Sequence, residues 1–256
     1  MNNSFEMAAA WERAAAAYQL RQPPFDGQIT YGALAPTEAE LKLLGDLAGR
    51  SVLDLGCGGG QNAVACALAG AEVTAVDLSA AQLAFGRELA AAHQVSVRFI
   101  QGDAANLARL VEPGLDLILA IQLFQYVEAL APALIACRDV LRPGGRLVIS
   151  LDHPIRNCFY DAEEGEMVGY PARSYFATGP LAWSFEPGVL MHSYHRPLAC
   201  WFASLREAGF SVEHVLEPPV PAPLLDELWP EDSPQAPLAA LPHTLLLVAT
   251  RNPAQA

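Results

Sequence analysis

The run Val52-Leu53-Asp54-Leu55-Gly56-Cys57-Gly58-Gly59-Gly60-Gln61 limits what this chain can fold into more than any other stretch. An apolar segment too short for a helix reads as a buried strand, the glycines as a tight turn, and the residues from about Asn62 as a helix. Glycines let backbone N–H groups crowd a ligand where a Cβ would clash, and the following helix N-terminus adds partial positive charge. Such a turn is suited to a nucleotide-like molecule.

The same alternation continues along the chain. Strands are expected at about 51–55, 72–77, 96–101, 115–121, 145–151, 211–217 and 243–250, with helical patterns between the first six. Strand, helix, strand, helix implies a parallel sheet covered on both faces, and Leu115 to Ile121 is apolar on both faces as that requires. No long helix separates the last two strands, only the proline-rich segment Pro218 to Pro242, so an antiparallel last strand is expected. The prediction is an α/β fold: a Rossmann-like, seven-stranded, mostly parallel sheet. Before it, helices are expected over residues 5 to 20 and 37 to 48, the second capped by Thr37.

At 256 residues and 52% hydrophobic content, one domain suffices: an N-terminal helical lid over 1–48, a core over 49–151, a cap insertion over 152–194 and the rest of the core over 195–256. A net charge of −13 argues against nucleic acid, which calls for a basic surface. The alanine-rich start has charges and no long apolar run, so neither a signal peptide nor a membrane span is expected. The five scattered cysteines form no C-x-x-C pair and read as reduced, with no metal site. A cytoplasmic protein acting on a small molecule follows; a homodimer is left open.

Two more acids follow strands. Asp77 ends the second strand about twenty residues past the glycine turn, where a carboxylate can accept from both hydroxyls of a ribose. The other reading is that it only caps the next helix, which Ser79 opens with Gln82 as a capping box. Asp103 follows the third strand, with turn capping as its alternative. A dinucleotide fingerprint needs a third glycine where Gln61 stands, and Asp54, two residues before Gly56, can receive a cationic amine. This combination favours S-adenosylmethionine over NAD.

With Val140-Leu141-Arg142-Pro143-Gly144-Gly145-Arg146-Leu147 before strand five, these motifs resemble, in order and spacing over residues 50 to 151, the class I S-adenosylmethionine-dependent methyltransferases. The flanks Tyr31 to Glu38, Leu151-Asp152-His153-Pro154, Ser193-Tyr194-His195-Arg196 and Ala208-Gly209-Phe210 resemble a set of bacterial members that act on small molecules. The resemblance implies a cofactor held by Asp54, Gly56, Cys57, Gly58, Asp77, Leu78, Asp103, Ala104 and Ile121, with Asp103 and the Ala104 N–H at the adenine and with Tyr18 and Arg21 closing over it. Ile121-Gln122-Leu123-Phe124 replaces the Asn/Asp-Pro-Pro-Tyr/Phe segment of enzymes that methylate exocyclic amines of bases, which excludes that subclass.

Methyl transfer is an in-line displacement, so the protein must align the acceptor, exclude water and, for a hydroxyl or ammonium, remove a proton. The acceptor is expected above strands four and five, against Gln122, Tyr126, Tyr175, Trp183, His192 and Arg196. Arg196 is suited to a substrate carboxylate. His153 is the first candidate base and His195 the second. Two alternatives stay open: an S-adenosylmethionine-binding module that transfers no methyl, and an NAD-dependent oxidoreductase.

Overall fold

The computed structural model describes residues 3–253, so the outer limits of the expected domain lie outside the described residues. The chain runs α1 (Asn3–Leu20), α2 (Glu38–Leu41), β1 (Ser51–Leu55), α3 (Gln61–Leu68), β2 (Glu72–Asp77), α4 (Ala80–Ala92), β3 (Val97–Gln101), β4 (Leu115–Ile121), α5 (Leu130–Val140) and β5 (Leu141–Asp152). Then follow β6 (Tyr160–Asp161), β7 (Glu166–Met167), β8 (Gly179–Glu186), β9 (Val189–His195), α6 (Leu198–Glu207), β10 (Phe210–Leu216), α7 (Ala222–Leu228) and β11 (Thr244–Arg251).

Seven strands form one sheet in the order β10-β11-β5-β4-β1-β2-β3. β11 runs antiparallel to both neighbours, while β1 pairs in parallel with β2 and β4. The order reverses between β1 and β4, which opens a crevice at their carboxyl ends. The central strands β1 and β4 are mostly apolar because alternate residues enter two different cores. Leu53, Leu55, Ile118, Leu147 and Ile149 pack with Trp201 and Leu205 of α6 on one face. Val52, Leu117, Leu119 and Val148 pack with Tyr31, Leu44 and Cys66 on the other.

The helix expected over 37–48 is cut to one turn. Its Glu38 carboxylate accepts the N–H groups of Leu43 at 2.9 Å and Leu44 at 2.8 Å and the Tyr31 hydroxyl at 2.6 Å. Those amides cannot then continue a helix, and Lys42 turns left-handed at φ 52°. His195 ends β9, and α6 begins after Pro197. The cap region contains the antiparallel hairpin β8–β9, which the aromatic content alone did not reveal. No described helix is long and apolar enough to cross a membrane.

The β4–β5 pairing depends on a close approach at Gly145, where a Cβ would lie 2.9 Å from both the Arg142 and Leu115 carbonyl oxygens. Backbone oxygens cannot swing aside as a side chain would. Gly145→Ala is therefore expected to destabilise the fold by about 1–3 kcal/mol, measured as a lowered denaturant midpoint; an unchanged midpoint would show that the pairing relaxes freely.

Candidate functional site

The glycine turn is tied to β2 by backbone bonds. Gly56 N–H and Cys57 N–H both donate to the Val76 carbonyl, at 2.8 and 3.1 Å. Gly58 N–H donates to Asp77 Oδ2 at 2.9 Å, and Ser79 N–H donates to Asp77 Oδ1 at 2.9 Å. Each oxygen keeps a lone pair, so capping and ligand binding are compatible at Asp77. Burial outweighs these bonds and lifts the Asp77 carboxyl above its ordinary range. The turn tolerates no side chain at Gly56, whose φ is +72° and whose Cβ would come within 2.8 Å of the Leu123 side chain.

One cavity lies above this turn. Gly56, Gly58, Asp77 and Leu78 line one side, Asp103 and Ala104 the next, and Ile121, Gln122 and Tyr126 the side after β4. Met7, Trp11 and Tyr18 of α1 close it. The helix is held there by polar contacts with the parts it covers. Gln61 donates to Gln19 at 2.7 Å, and Gln19 donates to Gln82 at 2.7 Å. Glu12 accepts the Ser79 hydroxyl at 2.7 Å and Ala81 N–H at 3.1 Å, which holds its carboxyl below the usual range. Gln61, read from sequence as a missing glycine, is thus one end of a latch.

Asp54 lies beneath the turn, 2% exposed. One of its oxygens accepts Ala63 N–H, and Oδ2 has no partner among the described residues. Burial, first, and the nearby Asp77 carboxylate push its carboxyl up to about 7, the Ala63 amide pulling the other way. A buried carboxylate with a spare acceptor suits a cationic donor brought by a ligand.

The far wall is aromatic. Trp11 stands edge-on to Tyr18 at 5.4 Å and to Tyr126 at 5.5 Å between ring centroids. Trp183 and Phe185 of β8 complete a circuit, Tyr126 to Trp183 at 6.4 Å, Trp183 to Phe185 at 6.3 Å and Phe185 to Tyr18 at 6.0 Å. Arg21 lies 4.4 Å above the Phe185 ring and joins α1 to the hairpin. Gln122 adopts φ 55°, a strained conformation for a side-chain-bearing residue, held by its N–H on the Ser150 carbonyl at 2.8 Å and by the Gln125 amide at 2.7 Å. Burial raises the Tyr126 phenol, and the Gln125 side chain bonds to it.

Of the residues expected at the cofactor, Tyr18, Gly56, Gly58, Asp77, Leu78, Asp103, Ala104 and Ile121 line this cavity, whereas Arg21, Asp54 and Cys57 lie just outside its lining. Of the acceptor set, Gln122 and Tyr126 line it, and Trp183 backs Tyr126. Tyr175 instead accepts Leu198 N–H at 2.9 Å at the start of α6, and His192 sits half-buried on β9. Arg196 donates to the carbonyls of Val127 at 2.6 Å and Glu128 at 2.9 Å, bracing the loop after β4. Both candidate bases are buried away from the cavity. His153 Nε2 pairs with Glu217 at 2.7 Å, and His195 Nε2 bonds the Tyr175 carbonyl at 2.8 Å. Burial lowers both imidazoles from their ordinary range. Sequence reasoning missed Met7 and Gln19 and read Gln82 only as part of a helix cap; only the seven-residue spacing of Trp11 and Tyr18 hinted that this face of α1 is used.

Residues 53–149 match a family described as a methyltransferase domain. The chain is 39% identical over 107 residues to the ubiquinone biosynthesis O-methyltransferase of Alkalilimnicola ehrlichii, covering 42% of this chain and 43% of that protein. It therefore spans less than half the length of that relative. It is 30% identical over 213 residues to an uncharacterized protein of Haemophilus influenzae, 78% of this chain and 83% of that one. The solved S-adenosylmethionine-dependent methyltransferase of Mesorhizobium loti superposes with a TM-score of 0.66 at 27% identity, over 83% of this chain and 96% of that chain.

The unpartnered Asp54 yields a prediction on stability. A carboxyl raised to about 7 keeps its proton in the fold while the unfolded chain loses it near 4. Its charge therefore costs stability above pH 7, and that cost fades as pH falls from 7 toward 4. Asp54→Asn is expected to melt higher than wild type at pH 8, with the gain shrinking below pH 7. A gain independent of pH would remove the buried charge as its cause.

Proposed function

This chain belongs to the class I S-adenosylmethionine-dependent methyltransferases, and from that premise we propose that it transfers the donor's methyl group to a small-molecule acceptor held between the end of β4 and helix α1. The observation that carries the reading is the convergence of the glycine turn, Asp77, Asp103 and Gln122 on one cavity at the carboxyl ends of the central strands. The orphaned Asp54 Oδ2 and the Cβ-free surface of Gly56 and Gly58 fit this donor.

In this reading, Asp77 accepts from the ribose hydroxyls, Asp103 and the Ala104 N–H read the adenine, and Asp54 receives the amino group through the turn. When bound, S-adenosylmethionine supplies an activated methyl on a sulfonium. The chain's own residues then align and enclose. Trp11, Tyr18 and Tyr126 shut out water, Gln122 fixes the wall at the end of β4, and the Gln61–Gln19–Gln82 chain holds α1 closed. We assign His153, His195 and Arg196 to the scaffold, because none lines the cavity and because the Nε2 atoms of the two histidines are engaged by Glu217 and the Tyr175 carbonyl and the Arg196 guanidinium by the carbonyls after β4.

A small-molecule acceptor is supported by the closing of the cavity by α1, backed by Trp183 and Phe185 of the hairpin, and by the net charge of −13, which repels nucleic acid. The whole chain is read as one catalytic unit of lid, core and cap. A cytoplasmic setting is supported by five unpaired cysteines, four of them buried.

Calorimetry tests the reading. S-adenosylhomocysteine is expected to bind and NADH not to. Asp77→Ala is expected to weaken the former by about 1–3 kcal/mol, the usual cost of leaving buried partners unpaired. Unchanged affinity would take Asp77 out of the ribose role, and binding of NADH instead would overturn the assignment.

A further inference from the structure

The acceptor end of the cavity has an uneven chemistry. Among the described residues that line the cavity, the ionisable side chains are Tyr18, Asp77, Asp103, Tyr126 and Glu128; none is lysine, arginine, histidine or cysteine. Asp77 is engaged by the amides of Gly58 and Ser79, and Asp103 by Ala105 N–H at 2.9 Å. Glu128, at the rim, bonds the Tyr194 side chain. Of the arginines around this end, Arg196 spends its guanidinium on backbone carbonyls, Arg156 pairs with Asp152 and Arg21 lies over the Phe185 ring. Tyr18 and Tyr126 are phenols raised by burial, so at neutral pH they donate hydrogen bonds and take up no proton.

Two kinds of acceptor fit poorly in such a site. An alcohol or alkylammonium must lose a proton to become a good nucleophile, and the carboxylates of the lining are engaged, Asp77 and Asp103 by the donor and Glu128 by Tyr194. With Asp77 and Asp103 taken up by the donor, a carboxylate or other anion would meet the Glu128 carboxylate at the rim and no cationic side chain in the lining. The flat aromatic wall of Trp11 and Tyr126 favours a planar ring.

Resting on the methyl-transfer reading, we infer that the acceptor is a neutral aromatic nitrogen heterocycle whose ring nitrogen carries a free lone pair at neutral pH. That lone pair forms the N–CH₃ bond as the S–CH₃ bond breaks, and the electrons of the broken bond stay on sulfur. Positive charge thus moves from sulfur to the ring, with no proton to be removed. The product cation lies against the aromatic faces of Trp11 and Tyr126, with the Glu128 carboxylate at the rim, and both attract it. Tyr18 and Tyr126 orient the ring by donating to its other polar atoms.

The test uses the full chain loaded with S-adenosylhomocysteine, titrated by calorimetry at pH 8 with quinoline, isoquinoline, benzimidazole and 2-naphthoate. Turnover is followed in parallel with methyl-labelled S-adenosylmethionine, and 2-naphthol is added to that panel. At least one heterocycle is expected to bind tenfold or more tighter than the naphthoate and to take the label on nitrogen, the rate falling at low pH as its own nitrogen protonates. The inference is overturned if naphthoate binds as tightly as the heterocycles, if naphthol takes the label faster than they do, or if no bound heterocycle is labelled. Failure of S-adenosylhomocysteine itself to bind is a separate result and counts against the methyl-transfer reading instead.

Discussion

The hydrogen bond from Gly58 N–H to the Asp77 carboxylate ties the two halves of the site together. It joins the glycine turn after β1 to the end of β2, with the Gly56 and Cys57 amides on the Val76 carbonyl as its backbone counterpart. Without it the turn could fold back over the crevice between β1 and β4. With it, the strand end, the turn and the start of α4 form one rigid rim, because the Ser79 amide binds the other Asp77 oxygen. Asp77 is buried against its electrostatic preference, and the amides that hold it are what make that tolerable.

Helix α1 depends on that rim. Gln19 lies directly over Gly59, where a Cβ would fall 2.5 Å from its amide, and it can reach both Gln61 and Gln82 only because the residue beneath is glycine. Glu12 reads the start of α4 through Ser79 and Ala81, placing an anion at a helix N-terminus where the backbone charge favours it. Helix α1 is therefore held by polar bonds over the glycine turn and by aromatic packing toward Tyr126. The first set is readily exchanged with water, which suits a segment that has to yield for a ligand to pass.

The end of β5 shows how far a linear pattern reaches. Leu147, Ile149 and Leu151 enter one core, while Val148 enters the other and Ser150 faces Gln122 and Tyr31. His153 continues the odd-numbered set and so turns from the cavity toward Glu217. Period-two alternation is by itself enough to set His153 and Ser150 on opposite faces. The one-turn α2 was less legible, because nothing local marks Glu38 as the partner of Leu43, Leu44 and Tyr31 at once.

The strands, their parallel order, the glycine turn and the acids at 77 and 103 were legible in sequence because each rests on short-range chemistry: apolar alternation, residues without a Cβ, and carboxylates that follow strands. The aromatic wall was not. Trp11, Tyr126 and Trp183 come from three segments far apart in the chain, and ring packing selects its partners only after the sheet has brought those segments together. The same holds for Gln19, Gln61 and Gln82, whose amides look interchangeable with any surface glutamine until the backbone places them 2.7 Å apart. Sequence alone determined the glycine turn and the acids at the strand ends; the tertiary fold decided which side chains close over them, because long-range packing carries no local signature.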